Sequence, residues 1–80
     1  MVKIHIENTY SDGHQSTRRA QVAEPASASA ADLETWWQDV VFLQTGDGHG
    51  AGSKLGSCYT VTVLKADTLG LPGQTHEWID

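Results

Sequence analysis

Apolar and polar residues alternate over Val2-Lys3-Ile4-His5-Ile6-Glu7. This is the period-two signature of a strand with one buried face, carried by Val2, Ile4 and Ile6. A turn signal follows in Ser11-Asp12-Gly13-His14, where the Asp-Gly step favours reversal of the chain. Residues 16–24 then predict a returning strand, with Ala20 and Val22 toward the core and Arg19 and Gln21 toward water. Pro25 ends it. A proline has no N–H to give to a ladder, so this strand suits an edge.

The hydrophobic period then changes. Leu33, Trp36, Trp37, Val40 and Val41 fall at i, i+3, i+4, i+7 and i+8, which predicts a helix over residues 29–45 with a wide apolar stripe. Ser29 stands as N-cap with Asp32 in capping-box position, and Asp32 and Glu34 complement the positive end of the helix dipole. Gly46 ends the helix. Neighbouring helical residues point about 100° apart, so one of Trp36 and Trp37 is expected in the core and the other at its flank. Residues 46–57 are glycine-rich, lack an apolar period and predict a long mobile loop. Tyr59, Val61 and Val63 alternate with Thr60 and Thr62 and predict a third strand within residues 58–67. Residues 68–80 read as a C-terminal tail, with Trp78 folded back as a lid over the open end of the core.

The element order is strand, strand, helix, strand. The predicted fold class is α+β: one ββαβ domain over residues 1–80, a three-stranded antiparallel sheet in order 2-1-3 with one helix packed on one face. That order keeps the crossover right-handed. The helix is expected to meet Val2, Ile4, Ile6, Tyr59, Val61 and Val63, with Leu43 and Leu64 among the further core formers. Lys3, His5, Glu7, Arg19, Thr60 and Thr62 line the opposite, wetted face.

Eighty residues allow a single small core. Ten carboxylates stand against five Lys and Arg, a net charge of -5, which repels phosphate backbones and anionic lipid. The expected partners therefore include no nucleic acid and no membrane. The one cysteine, Cys58, forms no internal disulfide and is compatible with a reducing cytosol. No apolar stretch has the length of a membrane span or the pattern of a signal peptide, so the expected location is cytoplasmic.

Two features invite a chemical reading. The run Gly46-Asp47-Gly48-His49-Gly50-Ala51-Gly52 is rich in glycine like a phosphate-cradling loop. It follows a helix instead of opening one, and it lacks the Lys-Ser/Thr pair. The tripeptides Asp12-Gly13-His14 and Asp47-Gly48-His49 together offer two carboxylates and two imidazoles, a donor set suited to a metal ion. The four assemble only if the long loop brings the turns together, and flanking glycines oppose a rigid site. His5 and His76 read as surface imidazoles and Cys58 as a packed thiol. No cluster supplies a nucleophile with its base, so the chain reads as no enzyme, with no cofactor and no metal.

The blocks Trp36-Trp37-Gln38-Asp39-Val40-Val41, Thr45-Gly46-Asp47-Gly48-His49-Gly50, Gly56-Ser57-Cys58-Tyr59 and Gly73-Gln74-Thr75-His76-Glu77-Trp78 resemble short proteins encoded by phages of actinobacteria. The resemblance covers the C-terminal half to two-thirds of the chain. It implies a phage product inside a bacterial host cell and transfers no catalytic residue, because those proteins carry no assigned function. The expected function is that of a small non-enzymatic interaction protein binding a host or phage macromolecule. Its surface is either the face bearing His5, Arg19, Thr60 and Thr62 or an exposed strand edge, and free edges also leave homo-oligomerisation open. The alternative is metal or small-molecule binding by the Asp-Gly-His turns and the glycine-rich loop.

Overall fold

The alternating N-terminal segment becomes the central strand of the molecule. In a computed structural model that describes residues 1–49 and 56–79, β1 (Val2–Tyr10) pairs on one side with β2 (Gln15–Val22) and on the other with β3 (Ser57–Lys65). A further strand, β4 (Thr75–Ile79), pairs with β3. The sheet is antiparallel throughout, in order β2-β1-β3-β4.

The 2-1-3 arrangement is thus present, but the sheet has four strands and not three. Residues 75–79, expected as part of a tail, form its second edge. The sequence hides this strand because it alternates over only five residues, and its inward positions are His76 and Trp78, not aliphatic side chains. The connection that delivers β4 is fixed by the core: Leu71 is 1% exposed. Gly73, at φ +88, donates its N–H to the Val63 carbonyl at 2.8 Å, and the Val63 N–H returns to the Gln74 carbonyl at 2.9 Å.

Helix α1 (Ala30–Trp36) widens into a π turn over Trp37–Val41 and closes in a 3-10 turn over Phe42–Gln44. Ser29 caps it as expected, its Oγ accepting the Asp32 N–H at 3.2 Å. The capping box does not close. The Asp32 carboxylate accepts from Ser27 Oγ at 2.6 Å, and Ser27 Oγ also takes the Ser29 N–H at 3.1 Å.

Val2, Ile4, Ile6, Val22, Trp36, Trp37, Val41, Val61, Val63 and Leu71 form the core, with Leu33, Val40, Ala20 and Trp78 half-buried against it. Both tryptophans of the consecutive pair are buried, contrary to expectation. Trp37 stacks on His76 of β4 at 5.2 Å between ring centroids, so the unexpected strand supplies its cover. Trp36 donates its indole N–H to the Ala23 carbonyl at 2.7 Å. Trp78 is packed, but as a strand residue and not a lid. It lies opposite Tyr59, beside Phe42 at 5.4 Å, with its N–H given to Gln38 Oε1 at 3.2 Å.

Two expected core residues face water. Leu43, in the last 3-10 turn, is 73% exposed. Leu64 follows Val63 in the alternation and so falls on the same face as Thr60 and Thr62, 45% exposed; it is also the extra residue of a β-bulge, since Ile4 pairs with Val63 but Lys3 pairs with Lys65.

Candidate functional site

The two Asp-Gly-His tripeptides meet. The first turns the β1–β2 hairpin and the second follows the helical segment. In each, the aspartate Oδ1 accepts the N–H of its own histidine, at 3.0 Å for His14 on Asp12 and 2.9 Å for His49 on Asp47. The glycine between must turn the backbone back to allow this, and Gly13 and Gly48 have φ +91 and +81, values that favour residues without a Cβ.

Each aspartate then gives its other oxygen to the opposite histidine. Asp12 Oδ2 lies 2.7 Å from His49 Nε2, and Asp47 Oδ2 lies 3.0 Å from His14 Nε2. The two imidazoles stack between these pairs, 3.8 Å apart and 12° from parallel. The result is a reciprocal clasp joining the hairpin turn to the helix exit.

Asp47 is its hub. It accepts from Ser16 Oγ at 2.5 Å and from the Tyr10 hydroxyl at 2.8 Å, besides both histidines. The Ser16 hydrogen bond, then those of the His49 N–H and the Tyr10 hydroxyl, hold its carboxyl well below the usual range. The His49 ring, then the His14 N–H, do the same for Asp12. Desolvation pushes the Tyr10 phenol up. Beneath the clasp, buried Asn8 accepts the Gly46 N–H at 2.9 Å and donates to Ser16 Oγ at 3.2 Å, leaving neither end of its amide unpaired. The glycine-rich segment is therefore tied at its described ends, since Ser11 and Gly56 also exchange two hydrogen bonds. Its residues 50–55, half of the expected mobile loop, lie outside the described residues.

This geometry decides what the clasp can do. A metal ion needs several lone pairs aimed at one point, whereas these four side chains pair off two by two. Among the described residues no group of three or more His, Cys, Asp or Glu converges on a metal position. Ser16 donates directly to the Asp47 carboxylate with no imidazole between the two, unlike the Ser-His-Asp order. The arrangement fastens two turns together.

The second candidate is the sheet face away from the helix. Cross-strand pairing puts Arg19, His5, Thr62 and Thr75 in one row and Thr17, Glu7, Thr60 and Glu77 in the next. His5, Arg19, Thr60 and Thr62 therefore share one surface. His5 Nε2 lies 3.6 Å from Glu7 Oε1, and the Thr62 and Thr75 hydroxyls are 3.5 Å apart. Sequence reasoning missed Thr75 and Glu77 because it missed β4, and Tyr10 and Ser16 because their partner Asp47 is distant in the chain. The identity of the two tripeptides was the available signal for the clasp.

No family model, no curated protein and no solved structure matches this chain. Among the described residues no helix is long and apolar enough to cross a membrane.

Proposed function

We propose that the protein acts by stoichiometric binding of another macromolecule, not by turnover, and that the open face of the sheet is the binding surface. In the setting implied by the phage resemblance, the partner is a host or phage protein.

The observation that carries this reading is the two-row polar face described above. The helical segment and Leu71 pack on the other side, and none of the elements among the described residues covers this face. Its side chains stand on strands, the rigid elements that hold a recognition surface in place. They combine hydroxyls, a guanidinium and an imidazole, and among the described residues the outer edges of β2 and β4 carry no ladder partner, which adds free backbone donors and acceptors at the rim.

The test is expression of the tagged chain in an actinobacterial host, with growth and co-purified proteins as readouts. Arg19→Glu and Thr62→Arg are expected to abolish a stoichiometric complex while leaving the urea midpoint unchanged, because a few anchors carry most interface energy. Retention of the complex by both variants, or conversion of a substrate by sub-stoichiometric protein, would overturn the reading.

A further inference from the structure

Three cations gather at one corner of the open face with no carboxylate partner among the described residues. Lys3 and Lys65 stand directly opposite each other across β1 and β3, and Lys3 faces Gln21 on its other side. Arg19 shares with Lys3, Gln21 and the bulged Leu64 the lining of a depression of about 400 Å³. The ion pairs among the described residues are made by the Met1 amino group and by His5, His14 and His49, none by Lys3, Arg19 or Lys65. The carboxylates at this end of the sheet, Glu24 and Asp67, face the Met1 amino group, and Glu24 also holds the Thr68 N–H and hydroxyl. The fourth described cation, Arg18, is spent on the helix C-terminus, donating to the Gln44 carbonyl at 2.6 Å.

Like charges directly opposite in a sheet destabilise it. A chain with ten carboxylates and five Lys and Arg has ample means to avoid such a pair. Local rules broken without compensation point to function. We propose that this corner docks an acidic segment of the partner protein, two or more carboxylates meeting Lys3, Arg19 and Lys65 while an apolar residue seats against Leu64. This deepens the binding reading and rests on it.

Charge geometry favours an acidic peptide over a nucleic acid. Each strand of duplex DNA carries a phosphate about every 3.4 Å along the helix axis, and any nucleic-acid strand is a continuous row of charge that would run from the corner onto Glu7 and Glu77. A peptide can place its carboxylates at the corner and neutral residues beyond it. The net charge of -5 does not forbid this, because at physiological salt charges more than about 8 Å away are largely screened.

The probe is a fluorescein-labelled peptide of sequence Glu-Glu-Leu-Glu-Glu, titrated with the full chain and followed by anisotropy. A twenty-nucleotide oligo-dT and the corresponding lysine peptide run in parallel. The acidic peptide is expected to bind, to weaken about tenfold between 50 and 300 mM salt, and to weaken about tenfold in the double variant Lys3→Gln/Lys65→Gln. Arg18→Glu, a residue on the helix side of the sheet whose guanidinium is held by Gln44, changes net charge equally and is expected to leave binding within about twofold of wild type. The urea midpoint of Lys3→Gln/Lys65→Gln is expected to rise, since it relieves the repulsion.

No peptide binding, equal loss in the Arg18→Glu control, a lower urea midpoint, or tighter binding of oligo-dT would each overturn the acidic-segment assignment. If that assignment fails while Thr62→Arg still abolishes a cellular complex, the binding reading stands without it. If the peptide binds the corner but every open-face variant keeps the cellular complex, the wider reading fails instead.

Discussion

Leu69 and Leu71 lie two positions apart in one connection, yet the fold gives them opposite surroundings, 94% and 1% exposed. Truncating a packed leucine to alanine removes its transfer energy and leaves a cavity, together about 3 kcal/mol. The same change on the surface stays within about 0.5 kcal/mol. With an unfolding entropy of about 2.1 cal/mol/K per residue, 1 kcal/mol lowers the Tm of a domain this size by about 6 °C. Leu71→Ala is therefore expected to melt about 18 °C below wild type, and Leu69→Ala within about 3 °C. Urea unfolding followed by tryptophan fluorescence reads this directly, because Trp36 and Trp37 are both buried. Should Leu71→Ala leave no folded baseline, Leu71→Val removes one methylene and is expected to cost about 1 kcal/mol. Equal losses at the two leucines, or a loss below 1 kcal/mol for Leu71→Ala, would refute the placement of the connection and with it the anchoring of β4.

The clasp carries a pH signature. Asp12 and Asp47 titrate below their ordinary values in the folded chain, so their contribution is fully present above the unfolded value of about 3.9 and is lost as pH falls toward the folded ones. Asp47→Asn is expected to flatten the fall in urea midpoint below pH 4, and an unchanged acid limb would mean the carboxylate is not clasped. Trp78→Ala removes a half-buried ring and its hydrogen bond to Gln38, with an expected cost of about 2 kcal/mol, below the range for a fully buried tryptophan. A chain ending after Gly73 that melts like the full chain would exclude β4 as a stabilising strand.

Where side-chain periodicity reports burial, the sequence was a sufficient guide. Val2, Ile4 and Ile6 alternate because β1 has one covered face, and the spacing of Trp36, Trp37 and Val41 marks the covered side of the helix. Periodicity does not report cover supplied by another element. Trp37 is buried because His76 lies on it, and nothing near Trp37 in the chain says so. Leu64 follows the alternation onto the open face, and only its apolar character suggested the core. The clasp was visible as two identical tripeptides, but their meeting depends on where β1 and the helix exit come to rest. The Lys3–Lys65 pair is likewise a product of register, set only when β3 finds its place beside β1.

That late placement has a kinetic consequence. The central strand leaves the ribosome before either of its partners, and the residue that pairs with Lys3 on β3, Lys65, is separated from it by most of the 80 residues. Until β3 emerges, the nascent hairpin displays the Val2, Ile4 and Ile6 stripe beside an open backbone edge, and two-stranded hairpins hold themselves together only marginally in water. Closing so long a loop precedes its reward, which puts folding in the millisecond-to-second regime of non-local sheets. The vulnerable species is thus the partly synthesised chain, whose free β1 edge is a template for a neighbouring copy. Strong overexpression is expected to yield insoluble newly made protein, while chains that have once inserted β3 stay in solution.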